Sequence, residues 1–377
     1  MISRIPASLA LVLAGAIAAF IGHQPIALHA GGLGGPSAHD SLHVLAPITH
    51  GNLTIFPVVG GADYDTSRFL TLDEGVHAGS VIVAEQGELR GLVRRGVPVS
   101  RHSGAEVNQL MLVNNSDRPL LLLAGEIVTG GKQDRVIGAD RLVPPKSDPI
   151  DLSVFCVEPG RWVGQSAQFG SMKSQMAQPS VRSPAMAAKD QHEVWNQVAQ
   201  AREAMQAKSA VVGGVAAAPP ATTSYARAMA APQVQQTIDS VAGSYDSILR
   251  ELHKAGAKGV VVAINGNLVW ADLFASNDLL SRYWQKLARS YAAESLTAVS
   301  AKGQADEKSA QAFLDRLSGK REVIETDPGV YRRAEISGDG YKVFTLTALM
   351  PKTDFDVHVA KMSYNEQSWR EPRPMIR

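Results

Sequence analysis

Short apolar runs punctuated by Gly, Pro, Asn and Asp mark the first part of the chain: LTIFPVV at 53–59, SVIVAE at 80–85, QLMLVN at 109–114, PLLLLA at 119–124 and DLSVFCV at 151–157. Runs of that length and punctuation predict strands rather than helices. Asn114, Asn115, Ser116, Asp117 and Pro119 form a turn cluster, with Pro119 at a strand start, where a missing N–H is tolerated. The ordered body is expected to begin near Val44 and to be largely β up to about residue 160.

The period then changes. Asp190 followed by Glu193 resembles a capping box, and Val194, Val198, Ala201 and Met205 recur at helical spacing, predicting a helix over about 190–207. Residues 209–233 (SAVVGGVAAAPPATTSYARAMAAPQ) lack periodicity and are dominated by Ala, Gly and Pro, which predicts a disordered or loosely attached linker. A second helix follows from Ile238, Val241, Tyr245, Ile248, Leu249 and Leu252, with Lys254 in its last turn and Gly256 beyond.

GVVVAINGNLVWADLF carries the clearest hairpin signal, two apolar runs around Asn265 and Gly266, residues that accept the positive φ of a tight turn. Leu280, Trp284, Leu287 and Tyr291 predict one more helix, Phe313, Leu314 and Leu317 a shorter one, and YKVFTLTALM at 341–350 a strand ahead of an Arg/Pro-rich tail over 363–377. The fold class expected is α+β: a largely antiparallel, sandwich-like amino-terminal half, with helices and a β-hairpin in the carboxy-terminal half. Trp195, Trp270 and Trp284 each sit in an apolar pattern and are expected in the core.

The first thirty residues read differently. Arg4, the run SLALVLAGAIAAFIG and a polar, small-residue stretch ending at Ala30 follow the order of a secretory signal peptide. Residues 1–30 are therefore expected to be a cleaved signal and 31–43 a flexible Gly/Ser-rich leader, giving a secreted or periplasmic chain. The alternative is an uncleaved amino-terminal anchor, although the run is shorter than the roughly 20 residues a spanning helix needs. After cleavage no stable membrane span is expected. The full chain of 377 residues carries 37 Lys and Arg against 36 Asp and Glu, and loss of Arg4 brings the balance to zero. Nucleic acid is thereby disfavoured as a partner, since no basic excess exists to displace counterions. One cysteine excludes an internal disulfide.

Candidate chemistry gathers between residues 121 and 162. Glu126 follows the strand LLLA and Gly125, a position suited to a general base or a cation partner, or equally to a surface ion pair. In GGKQDR, Gly131 allows close backbone approach, Lys132 and Arg135 add charge, and Gln133 donates and accepts; the alternative is a Gly-rich hairpin turn. It is not a Walker loop, because Gln133 stands where Ser or Thr should follow the lysine. Cys156 lies in an apolar run with no histidine near it, which suits a small buried hydrophobe better than a nucleophile. In EPGRW, Arg161 could clamp an anion and Trp162 stack on a ring, or Arg161 could pair with Glu158 while Trp162 covers the core edge. No CxxC, HExxH or HxH is present, so no metal is implied and no cofactor is indicated.

Taken in order, AGEIVTGGKQDR, LVPPKSDPIDLSVFCVEPGRW, HEVWNQV, GVVVAINGNLVWADLF and RYWQKLARSYA resemble a domain family named for its association with ADP-ribosylglycohydrolases and rhodanese-phosphatase-superfamily proteins. The resemblance runs from about residue 51 to at least 295, and the domain is assigned to 44–362. It implies that Glu126, Gly131, Gln133, Arg135, Glu158, Gly160, Arg161 and Trp162 form the family's polar motif. It implies a link to ADP-ribose or NAD chemistry through gene association and supplies no reaction. Two features depart from the family pattern: the export signal, which an intracellular nucleotide role should not need, and the Ala/Pro-rich insertion at 209–233, expected to be peculiar to a subset.

Two functions compete. In one, an exported protein binds or hydrolyses an anionic nucleotide-sugar or ADP-ribose-like ligand: Gly131, Lys132, Gln133, Arg135 and Arg161 hold it, Trp162 stacks, and Glu126 and Glu158 supply acid and base. In the other, a non-catalytic secreted module uses the same residues as a fold-stabilising network. Convergence of Glu126, Gln133, Arg135, Glu158 and Arg161 on one cleft within side-chain reach favours the first; their scatter across separate solvated turns favours the second.

Overall fold

Alternation along LTIFPVV sends Leu53 and Ile55 to one side of a strand and Phe56 and Val58 to the other, and all four are buried. A strand buried on both faces must lie inside a sheet covered on both sides. The computed structural model, which describes residues 42–85, 88, 109–161, 163–212, 222–242, 245–298, 303–317 and 319–364, shows such a sheet.

Among these residues the sheet has nine strands, all antiparallel to their neighbours. Its order is His43–Val44, Leu53–Val59, Gly259–Ile264, Asn267–Phe274, Phe355–Ser363, Tyr341–Ala348, Tyr331–Gly338 and Lys320–Asp327, with Ile48–His50 also on Leu53–Val59. The expected hairpin is present, with Asn265 at φ 51° and Gly266 at φ 74°. A Cβ on Gly266 would lie 2.0 Å from the Gly303 carbonyl oxygen, so this position excludes other residues for steric as well as conformational reasons.

One face of the sheet is covered by the helix Asn277–Thr297, whose Leu280, Trp284, Leu287 and Tyr291 pack with Ile55, Val262, Trp270 and Phe344. Ser276 caps it by accepting the Leu279 amide at 3.0 Å. The opposite face carries Phe56, Val58, Val261 and Val343 against Ala310 and Leu314 of the helix Glu307–Asp315.

Two smaller sheets complete the β structure. Gly170–Met176, Glu126–Thr129, Arg135–Ile137, Ile150–Cys156, Gln109–Asn114 and Val81–Ala84 form an antiparallel six-stranded sheet. Arg141–Val143, Leu120–Leu122 and Leu70–Thr71 form a three-stranded one whose last pairing is parallel. Leu110, Leu112, Leu120, Leu122, Ile137 and Val154 fill the space between these two sheets. Val136, Phe155 and Val157 face a second core under the helices Gln191–Val212, Tyr225–Ala230 and Pro232–Ala242. Asp190 starts the first of these helices by accepting the His192 and Glu193 amides.

The fold is α+β, as expected, with local corrections. The amino-terminal strands are shared out, with Leu53–Val59 pairing with Gly259–Ile264 in the nine-stranded sheet and the strands from Leu70–Thr71 to Gly170–Met176 forming the two smaller sheets. Residues 222–233 are not a loose linker: Ser224, Tyr225, Ala226 and Met229 are buried, and Tyr225 donates its amide to Val157. Small residues there pack closely instead of repelling order; 213–221 lie outside the described residues. The helical stretch expected over 238–254 is helical over Pro232–Ala242 and Tyr245–Lys254, and 243–244 lie outside the described residues. Trp270 and Trp284 are buried, but Trp195 is half-buried, edge-on to His192. The signal segment, most of the leader, Trp162 and the tail from 365 lie outside the described residues. Among the described residues no helix is long and apolar enough to cross a membrane.

Candidate functional site

Strands Glu126–Thr129 and Arg135–Ile137 are neighbours, and the turn between them contains the Gly-rich motif. Its geometry follows from close packing. A Cβ on Gly131 would lie 2.2 Å from the Phe169 ring, and one on Gly130 2.6 Å from Ser166 Oγ. The amides that could cradle an anion are already directed at protein acceptors: Gly130 N–H to Asp134 Oδ1 at 3.2 Å, Gly131 to Ser166 Oγ at 3.4 Å, Lys132 to Glu85 Oε1 at 3.2 Å and Asp134 to Glu158 Oε2 at 3.1 Å.

The second turn closes over the first. Arg161 donates from Nε to Glu158 Oε2 at 2.7 Å, from Nη1 to the Gly131 and Val163 carbonyls at 2.8 and 3.0 Å, and from Nη2 to the Gly130 carbonyl and Asp134 at 3.3 and 3.4 Å. Gln133 donates to the Glu158 carbonyl at 3.1 Å. Ser224, from the segment expected to be a linker, donates to Asp134 Oδ2 at 2.8 Å and caps the helix after it. Burial, Glu158 nearby, pushes the Asp134 carboxyl above its ordinary value. Gly131, Gln133, Arg135, Glu158 and Arg161 are thus brought together, but enclosed; only Lys132 and Arg161 among the motif's charged side chains are half-buried.

Arg135 is buried beside Asp134, whose carbonyl it reaches at 3.4 Å, and loss of solvent lowers its proton affinity. Its cross-strand partner Cys156 is buried, free, and pushed up by burial, which makes it a core residue as its apolar run suggested. Glu126 stands apart from the turn cluster. Its carboxylate points into the sheet–helix interface, 2.5 Å from Lys286 Nζ, and accepts the Leu123 amide at 2.9 Å. Burial raises the Glu126 carboxyl, while Glu126 and Asp73 together outweigh burial and keep Lys286 protonated. Glu126 is fully buried in this arrangement, with its carboxylate engaged by Lys286 and the Leu123 amide.

Beside Glu126 runs a second buried chain of charges that the sequence did not reveal. Arg182 makes a bidentate pair with Asp272 at 2.9 and 3.0 Å, donates to the Ala124 carbonyl and lies over Trp270. His358 bridges two carboxylates, Asp140 at 2.6 Å from Nδ1 and Asp272 at 3.2 Å from Nε2, and Asp140 also accepts the Ala124 amide at 2.7 Å. Both ring nitrogens face acceptors, so the imidazole carries both protons; burial opposes this, but Asp140 and Asp272 prevail and lift His358 to about 9. Asp272 is held well below the usual carboxylate range, burial being outweighed by Arg182 and His358.

The residue pattern held one usable signal for this chain. Asp272 and His358 interrupt apolar strands, and Lys286 interrupts an apolar helix stripe. An ionisable group at such a position needs a buried partner. Among the described residues no group of three or more His, Cys, Asp and Glu side chains is placed to hold a metal ion. The family model described as the ARG and Rhodanese-Phosphatase-superfamily-associated Protein domain matches residues 41–362. No curated protein and no solved structure matches the chain.

Proposed function

The chain belongs to the ARG and Rhodanese-Phosphatase-superfamily-associated Protein domain family, and on that premise we propose that it is a non-catalytic exported module whose polar motif is a fold-stabilising network. The observation that carries this reading is the direction of the donors. The four turn amides and every nitrogen of the Arg161 guanidinium that would receive a phosphate are bonded to protein acceptors. Binding a nucleotide-sugar or ADP-ribose-like anion there would first require breaking several of these bonds, each worth about 1 kcal/mol net and more where a charge is left buried. Glu126 and Glu158, the acid and base of a hydrolytic reading, are spent on Lys286 and Arg161. Export rests on the leader sequence alone.

The test uses the purified chain from residue 31, titrated with ADP-ribose and melted with and without it. Arg161→Ala and Glu126→Gln are expected to lower the melting temperature, with no saturable ADP-ribose response in the parent chain. Variants that keep the parental melting temperature and abolish a saturable ADP-ribose response would establish the ligand site instead.

A further inference from the structure

The nine-stranded sheet ends on a long strand with nothing on its outer side. Among the described residues Lys320–Asp327, eight residues long, pairs only with Tyr331–Gly338, whereas the strands at the opposite end, His43–Val44 and Ile48–His50, have two and three residues. The six-stranded sheet is closed at Val81–Ala84 instead, where the Phe169 amide bonds the Val83 carbonyl at 2.8 Å. Apolar exposure gathers at the open edge. Three large hydrophobic side chains are exposed among the described residues, and two of them, Val323 at 49% and Leu317 at 48%, lie in this strand or just before it. An unpaired edge is a template for another strand.

The order of charges says which strand fits. KREVIETD begins with Lys320 and Arg321, has Val323 and Ile324 at its centre and ends with Glu325 and Asp327. A second copy running antiparallel carries the complementary order, its acidic end against the first copy's basic end and the reverse at the other end. We propose that two copies of the chain pair edge to edge through Lys320–Asp327, related by a two-fold axis at the centre of the strand. Such a contact is isologous and closes at two copies.

The register follows from the faces. Lys320, Glu322, Glu325 and Asp327 oppose Ser337, Glu335, Arg333 and Tyr331, alternate residues of one strand, and so share a face; Arg321, Val323 and Thr326 share the other. The shift between Val323 and Glu325 leaves Ile324 as a bulged residue, which is why simple alternation does not give this assignment. Placing Lys320 opposite Asp327 of the second copy matches the faces: Arg321 then meets Thr326, Glu322 meets Glu325, and Val323 and Ile324 flank the axis. The one like-charged match is offset on both sides, since Glu322 lies 2.6 Å from Lys320 and Glu325 lies 2.8 Å from Arg333 and 4.0 Å from Arg141. The Lys320–Glu322 pair is exposed and worth little, so it does not hold Lys320 away from a second carboxylate.

Edge charges and a bulge commonly keep foreign strands away. Here the same charges admit a copy of the chain while rejecting strands with another order. One strand pair makes an interface smaller than the standard of roughly 1,600 Å², so the dimer is weak and reversible. The edge belongs to a different sheet from the polar motif, and the pairing does not depend on what that motif does.

Sedimentation velocity of the chain from residue 31, from micromolar to hundreds of micromolar, should show a reversible monomer–dimer equilibrium. Lys320→Asp and Asp327→Lys each turn two attractive contacts into repulsive ones, so either variant alone should dissociate roughly tenfold more readily. An equimolar mixture of the two should recover the parental association, because each basic end again meets an acidic one. Val323→Lys, exposed at the centre of the pairing, should weaken the dimer by a similar factor at an unchanged melting temperature, which tests the edge even where Asp327→Lys disturbs the turn after it. A parent chain that stays monomeric throughout, a dimer indifferent to Lys320→Asp and Val323→Lys, growth into open-ended polymers, or a mixture of folded variants no tighter than each alone would overturn the assignment.

Discussion

Replacing His358 with Gln removes the cation that separates Asp140 from Asp272 while keeping a side chain of similar reach. His358 is held at about 9 against an ordinary 6.5. At about 1.4 kcal/mol per tenfold change in proton affinity, that difference amounts to about 3 kcal/mol of stability. Because the folded-state value is raised, this contribution is complete below pH 6.5 and is lost as pH rises through about 9. Lys361, held down to about 8 by burial, with Arg316 nearby, acts with the opposite sign from about 8 upward and so overlaps the upper part of this window. The wild-type curve alone therefore does not isolate the histidine, whereas its difference from His358→Gln does. Denaturant unfolding of both chains from pH 6 to pH 10 should show the variant roughly 3–5 kcal/mol less stable at pH 6, the cost of stranding buried carboxylates. The gap should narrow by about 3 kcal/mol by pH 10. A gap that stays constant across the range would mean that His358 is not protonated between its two carboxylates, and the charge chain would have to be redrawn.

Gly125 sits at φ 98° with a would-be Cβ 2.6 Å from Arg182 Cγ. Gly125→Ala should therefore destabilise by about 2–4 kcal/mol in denaturant unfolding, combining left-handed strain with displacement of a buried ion pair, and a loss under about 1 kcal/mol would contradict that packing. Cys156 is buried, with its thiol pushed up by burial. A thiol reagent at pH 8 should label it only after denaturation, and rapid stoichiometric labelling of the native chain would count against its place in the core.

The parts of the fold that were legible are those in which neighbouring residues determine the outcome. Strands Leu53–Val59 and Gln109–Asn114 coincide with the apolar runs, Asn265-Gly266 forms the turn its chemistry requires, and the stripe from Leu280 to Tyr291 packs as one face. Strand Lys320–Asp327, at the sheet edge, was not legible because KREVIETD has no buried residue and lacks an apolar alternation. Helix Tyr225–Ala230 was missed for the opposite reason: its Ala-rich sequence looks featureless, and its burial against Val157 and Asp134 is decided by distant residues.

The candidate site divides in the same way. The proximity of Gln133, Glu158 and Arg161 could be inferred from two strand-end turns, but not that Gly131, Lys132 and Asp134 turn their polar atoms to Ser166, Glu85 and Ser224. Glu126 was misplaced because a carboxylate after a strand and a glycine looks exposed. Its partner Lys286 lies 160 positions along the chain. The His358–Asp140 contact spans 218 positions, and no local pattern reports a pairing of that range.

The pairing of Leu53–Val59 with Gly259–Ile264 also sets an order of events for chain synthesis. The first long strand emerges with apolar faces and an unpaired edge, and its partner is not made until most of the chain exists. Until then it is a template for mispairing with other chains. Closing so large a loop is entropically slow, so folding is expected to wait on the carboxy-terminal half. The nine-stranded sheet thus makes the two ends of the polypeptide mutually dependent: the core that Leu53 and Ile55 share with Val260, Val262 and the helix Asn277–Thr297 closes only when the carboxy-terminal half has arrived.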